Sequence, residues 1–225
     1  MDQQIIDWLL GAQTPTIRYL TLVNLLGLPE DDVRVVVQRR AIRAEGPVPA
    51  ILAGQIKVGS WAGEHSFYTP KYRSTHWSLT LLAELLVDGA DPRFRRGVDF
   101  MLGDTAETLR KKLDNNDLGW SCFYGNMLRY TCHAGLSRDE RTTVLIDYTL
   151  RDMDNGRCRC DWNDGYACAW GVARTLWGLA ALPQEQRGAA VNRAIEQALD
   201  DYEIDPPLAT RYQSLFPRER HNCAF

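Results

Sequence analysis

The sequence predicts an all-α protein made of repeated helical hairpins, arranged as a full or partial ring. Three observations carry this. Apolar residues recur at three- and four-residue spacing through most of the chain, the mark of helices with one buried face. No stretch shows the period-2 alternation of a strand. Three long segments superpose on one another as copies of a helix–turn–helix unit.

The elements follow in order. IIDWLL (5–10) is an early apolar helix. IRYLTLVNLL (17–26) follows a Thr-Pro start, and a second helix runs over 31–43 after Pro29. A loop rich in glycine and aromatics, 55–72, separates this pair from the rest. Helices are then expected over 77–87, 92–102, 123–133, 138–151, 169–181 and 185–202, most of them bounded by Gly, Pro, Asp or Ser. The chain is expected to form one domain over 1–225, with hairpins near 15–44, 76–102, 122–151 and 168–202.

The three repeats are THWSLTLLAELLVDGADPRFRRGVDFML, SCFYGNMLRYTCHAGLSRDERTTVLIDYTL and ACAWGVARTLWGLAALPQEQRGAAVNRAIEQAL. In each, an apolar helix is followed by a short turn and an amphipathic helix with an arginine near its start (Arg93, Arg141, Arg187). The apolar helix should be the inner one and the arginine-rich helix the outer, solvated one. Hairpins repeating every 40–50 residues build a solenoid or a closed ring.

Composition narrows the function classes. A formal net charge of −3 with no long basic block argues against a nucleic-acid-binding face. The longest apolar runs are too short for a transmembrane segment. The N-terminus, MDQQIIDWLLG, has acids where a secretory signal has positive charge, so a cytoplasmic location is expected. There, the six cysteines (122, 132, 158, 160, 168, 223) should be reduced, and clustered ones should be ligands sooner than disulfides.

The stretch CRCDWNDGYACAWG (158–171) concentrates three of them. His76, Cys122 and Cys168 stand at the starts of three successive inner helices, 46 residues apart at each step. In a ring of hairpins such positions converge on one rim, and Cys160 lies in the loop leading to the third. Three thiolates and an imidazole suit a tetrahedral zinc ion, with helix N-termini favouring the thiolates. An iron–sulfur cluster with Cys158 as the fourth thiolate is the alternative, and a Cys160–Cys168 disulfide is the main competitor. Cys132, expected in mid-helix, and Cys223, in the C-terminal tail, read as structural or incidental.

ILAGQIKVGSW (51–61) resembles the repeat motif of the α/α-toroid superfamily of squalene–hopene-type terpenoid cyclases and protein prenyltransferases, with Gln55, Gly59 and Trp61 matching. DNNDLGW (114–120) and DNGRCRC (154–160) resemble eroded copies. PTIRYLTLVNLLG, KYRSTHWSLTLLAELLVDGADPR, CFYGNMLR and CAWGVARTLWGLAALP resemble small bacterial prenyltransferase/squalene-cyclase-repeat proteins. The resemblance covers about residues 14–217 and implies an α/α toroid, with fewer hairpins than a full cyclase ring. The superfamily's D-x-D-D proton donor has no match, DNND (114–117) keeping only two acids. DDYEID (200–205) likewise misses a diphosphate-binding spacing. Protein prenyltransferases and lanthionine cyclases hold zinc at one end of the ring, similar in place to the set proposed here.

Two readings stay open. In the first, the protein is an enzyme with zinc at the rim, acting on a hydrophobic or isoprenoid-like small molecule. Trp77, Tyr124, Trp162 and Trp170 would contact the substrate, Lys71 and Arg73 would meet an anionic group, and Asp161 and Asp164 would serve as acid or base. In the second, a Cys3His shell is purely structural and the protein is a binding or scaffold module. The apolar early helix, together with a tail that looks short for closing a ring, adds the expectation of a homodimer.

Overall fold

The computed structural model describes residues 2–153, 158, 160 and 168–203. The protein is all-α: among the described residues there is no strand, only an isolated antiparallel bridge between Trp120 and Cys160. The helices are α1 (Gln3–Leu10), α2 (Pro15–Leu20), α3 (Val33–Ala44), α4 (Pro47–Ala53), α5 (Thr75–Glu84), α6 (Pro92–Asp114), α7 (Ser121–His133), α8 (Glu140–Asp152), α9 (Ala169–Ala180) and α10 (Ala189–Glu203). A π-type turn, Thr21–Leu25, prolongs α2, and a 3-10 turn, Gln184–Gln186, precedes α10. Among the described residues no helix is long and apolar enough to cross a membrane.

Starts are set by local chemistry. Asp2, Asp32 and Asp139 cap α1, α3 and α8 by accepting a backbone N–H two residues on, and Pro15, Pro47 and Pro92 open α2, α4 and α6. Two elements differ most from the reading of the sequence, beside shifted ends at α5 and α10. α4 was not anticipated, because seven residues with two prolines are too short to show a period. α6 continues past the expected end at Leu102 to Asp114, through Gly103. Its buried stripe runs Phe94, Val98, Met101, Leu102, Thr105, Ala106 and Leu109, and that burial outweighs the roughly 1 kcal/mol a mid-helix glycine costs.

The chain divides into two compact units, Met1–Met101 and Leu102–Phe225. In the first, Tyr19, Leu22, Val35, Leu52 and Leu79 are buried. Thr16 Oγ1 donates to the Leu85 carbonyl at 2.7 Å, tying α2 to the end of α5. The stretch 51–61 acts here as one staple. Gln55 Nε2 donates to the carbonyls of Gly59 (2.9 Å) and Arg93 (2.8 Å), and buried Trp61 donates through Nε1 to Ile51 (2.7 Å). Gly59 has φ +101°, and a Cβ there would stand 2.8 Å from the Arg96 carbonyl oxygen. Its lack of a side chain lets the loop lie against the start of α6.

In the second unit α7 is buried on most of its sides, including Tyr124, Met127, Leu128 and Tyr130, whereas α8 buries one face (Thr142, Leu145, Thr149, Asp152). This is the inner and outer character expected of a repeat's two helices.

Candidate metal centre

α7 and α9 are held side by side by glycines. A Cβ on Gly125 would stand 2.6 Å from the Arg174 carbonyl, and one on Gly171 3.1 Å from the Ser121 Cβ. Thr175 Oγ1 lies 3.4 Å from the Ser121 carbonyl it donates to. Gly178 lies against Gly125 and Leu128. The partners advance together along both helices, so α7 and α9 run parallel and their N-terminal ends are neighbours.

The cysteines gather at that shared end. Cys122 is the second residue of α7, and Cys168 caps α9 with its Sγ accepting the Gly171 N–H at 3.3 Å. The Cys168 N–H donates to the Cys158 carbonyl at 2.7 Å, and Cys160 bridges to Trp120, the residue before α7. Around Gly171 the Cβ atoms of Cys158, Ser121 and Cys168 lie 3.0, 3.1 and 3.5 Å from where its own Cβ would be. Cys158, Cys160 and Cys168 are buried, and Cys122 is partly so. All five described cysteines are free thiols.

The thiols sense one another. Burial pushes Cys122 up to about 11, with Cys168 and Cys158 adding to the rise. Cys158 is pushed up to about 12, again first by burial. Cys168 rises further, chiefly through its hydrogen bond with the Cys160 thiol and then through burial. A helix N-terminus stabilises an anion by at most about 1 kcal/mol in an ordinary setting, less than about one pKa unit. Burial therefore outweighs the dipoles here. Left to themselves Cys122, Cys158 and Cys168 stay protonated and weakly nucleophilic at neutral pH. A metal ion is what would draw off their protons.

Hydroxyl and carboxylate groups lie beside the thiols. Ser121 Oγ donates to the buried Asp152 carboxylate at 2.5 Å, and the Cys158 thiol donates to Thr175 Oγ1 at 3.6 Å. Among the described residues, no three His, Cys, Asp or Glu side chains are arranged to hold a metal ion as they stand.

Of the ligands read from the sequence, Cys122, Cys160 and Cys168 are brought together within the second unit. His76 belongs to the first unit and holds the equivalent position, second in α5. Its ring is buried, 5.7 Å from Tyr68 and 5.4 Å from Trp77. The sequence reading left Cys158 out of the zinc set, although a signal was present. Cys158 stands only two residues from Cys160 in the chain, near enough to reach the same place.

Of the substrate candidates, Lys71, Arg73 and Trp77 belong to the first unit, and Tyr124 and Trp170 to the second. Lys71 Nζ lies 5.3 Å from the centre of the Tyr72 ring and 5.9 Å from that of Trp77, while Arg73 is exposed. The Trp77 indole donates to the Tyr68 carbonyl at 3.1 Å. Tyr124 is buried against Phe123 and Tyr148, with burial raising its hydroxyl. Trp170 is 42% exposed, with the Arg174 guanidinium 4.1 Å from its ring centre. Asp161, Trp162, Asp164 and Cys223 lie outside the described residues. Cys132 stands in the last turn of α7 and not in mid-helix.

The fold and the thiol cluster define a class, an all-α protein of helical hairpins with cysteines gathered at one end of paired helices. Comparison with protein-family models, curated proteins and solved structures finds no match to this chain.

Proposed function

We propose that this chain is a metal-binding helical-repeat protein of α/α-toroid type, with zinc held by Cys122, Cys160 and Cys168 as the nucleus of the site. One observation carries this reading: these thiols meet at the adjoining starts of α7 and α9, where each is wholly or partly buried. Soft donors in a shielded pocket suit Zn²⁺, and an iron–sulfur cluster is the other metal chemistry such donors serve. Burial of the thiols favours a closed, structural site in a binding or scaffold module. Such thiols persist in a reducing compartment, in keeping with a cytoplasmic location. Elemental analysis of the purified protein tests the proposal: about one zinc per chain is expected, with no visible absorption. A visible spectrum with iron and sulfide would assign the cluster instead. Neither metal in either form, even after anaerobic reconstitution, would overturn the reading.

An enzyme acting on a hydrophobic or isoprenoid-like molecule is the second reading. Its support is the half-exposed pair Trp170 and Trp177 on α9, both with the Arg174 guanidinium over the ring, at 4.1 and 5.0 Å. Aromatic faces beside a cation suit an apolar chain with an anionic end. Saturable quenching of tryptophan fluorescence by such an amphiphile, lost in Trp170→Ala, would support it.

We further propose a homodimer through α1, where Trp8 is 75% and Ile5 52% exposed while Ile6 is buried. Light scattering at micromolar concentration should give twice the chain mass, and Trp8→Glu should return the monomer. A wild-type monomer would refute it.

A further inference from the structure

We infer that Cys158 is the fourth ligand, making a four-cysteine centre contained within the second unit. This rests on the zinc reading above and names its missing donor. Three independent features point to it. The Cys158 side chain is 0% exposed, and its Cβ, with those of Ser121 and Cys168, crowds the space in front of Gly171. Any side chain at residue 171 would fill the ground between two of the sulfur-bearing residues. The chain is also pinned at both ends of the 158–168 segment: Cys160 bridges to Trp120, and the Cys168 N–H holds the Cys158 carbonyl. Three cysteines of one segment are thus presented to the start of α7, where Cys122 supplies the fourth. Finally, the Cys158 thiol donates to Thr175 Oγ1 at 3.6 Å, and that hydroxyl donates to the Ser121 carbonyl at 3.4 Å, which ties Cys158 to the start of α7 beside Cys122.

The surroundings suit sulfur that carries charge. Zinc with four thiolates bears a net charge of about −2. The Gly171 N–H already points at the Cys168 sulfur, and the Thr175 hydroxyl, fully buried, can turn to donate to Cys158. Adjoining N-termini of two parallel helices favour negative charge at the same place. On binding, four thiol protons leave to solvent as four Zn–S bonds form, with no change of oxidation state.

The test uses the full chain as wild type, Cys158→Ser and His76→Gln, each loaded with Co²⁺ as a spectroscopic substitute for zinc. Wild type should show the sulfur-to-cobalt charge-transfer and d–d bands of four thiolates. His76→Gln should keep both metal stoichiometry and spectrum. Cys158→Ser should lose metal, or lose one thiolate's share of charge-transfer intensity with shifted d–d bands. A Cys158→Ser spectrum identical to wild type, with His76→Gln altered, would overturn the inference while leaving the zinc reading intact. A wild type that binds neither ion overturns the zinc reading first. Should Cys158→Ser fail to fold, alkylation of wild type decides: zinc should protect Cys158 together with Cys122, Cys160 and Cys168, and a chelator should release all four. Labelling of Cys158 in the zinc-loaded protein while the other three stay protected would overturn the assignment.

Discussion

Gly178 of α9 lies so close to Gly125 of α7 that a Cβ on it would stand 2.5 Å from the Gly125 carbonyl oxygen. Backbone, which cannot swing aside, is the obstacle. Alanine in place of a helical glycine normally gains about 1 kcal/mol in propensity, but overpacking of this kind costs roughly 1–3 kcal/mol or more. Gly178→Ala and Gly125→Ala should therefore lower the denaturant midpoint. Gly103→Ala, in α6 with nothing within 4 Å of its Cβ, should raise it. Equal effects at the three positions would disprove the close approach.

The staple formed by Gln55 makes a second prediction. Removing its amide leaves the carbonyls of Gly59 and Arg93 without the donor they share. Gln55→Ala should cost about 1–3 kcal/mol in chemical denaturation. Trp61→Ala, which empties a buried site, should cost about 3–5 kcal/mol. The two changes should fall short of additive, because both act on one loop.

Asp139 links stability to pH. It caps α8 through the Arg141 N–H at 2.9 Å, and the Arg141 guanidinium, its strongest partner, holds the carboxyl below the usual carboxylate range. A depressed folded-state pKa contributes stability above the unfolded value of about 4, and that stability is lost as pH falls through the folded value. Asp139→Ala should cost about 1 kcal/mol at pH 7. The gap from wild type should close as pH drops below about 4. A gap that stays constant down to pH 2 would show that the carboxylate charge plays no part.

Cys132 offers a measure of burial apart from the metal site. Burial pushes its thiol up to about 12, only partly opposed by Arg129. At pH 8 its alkylation by iodoacetamide should run at least a hundredfold slower in native than in denatured protein. The native rate should still climb about tenfold per pH unit at pH 10, where an ordinary thiol, with pKa near 8.5, has levelled off. Peptide mass spectrometry reads both rates.

Much of the helical architecture was legible in the residues alone. Pro92 marks a helix start by chemistry that needs no partner from elsewhere in the chain, while Asp139, placed inside the expected 138–151 helix, is the cap of α8. The 46-residue phase carries over in part: His76 and Cys122 are each second in their helix, α5 and α7, whereas Cys168 is the cap of α9, two positions earlier. Local hydrogen bonding and apolar period act over one or two turns, so a linear reading captures them. Gly103 misled that reading, because whether a glycine ends a helix depends on the burial available beyond it, here Thr105, Ala106 and Leu109.

What only the tertiary structure decided is which side chains share a space. Gly125, Gly171 and Gly178 read as ordinary glycines until α7 and α9 are packed, when each proves to be a point of contact between the helices or with the thiol cluster. Cys158 read only as the fourth thiolate of an alternative iron–sulfur cluster, and the structure adds that Cys168 bonds to its carbonyl and that Gly171 faces its Cβ. Chain spacing determines the order in which ligands arrive. Their meeting depends on packing distances between segments far apart in sequence, which no local pattern records.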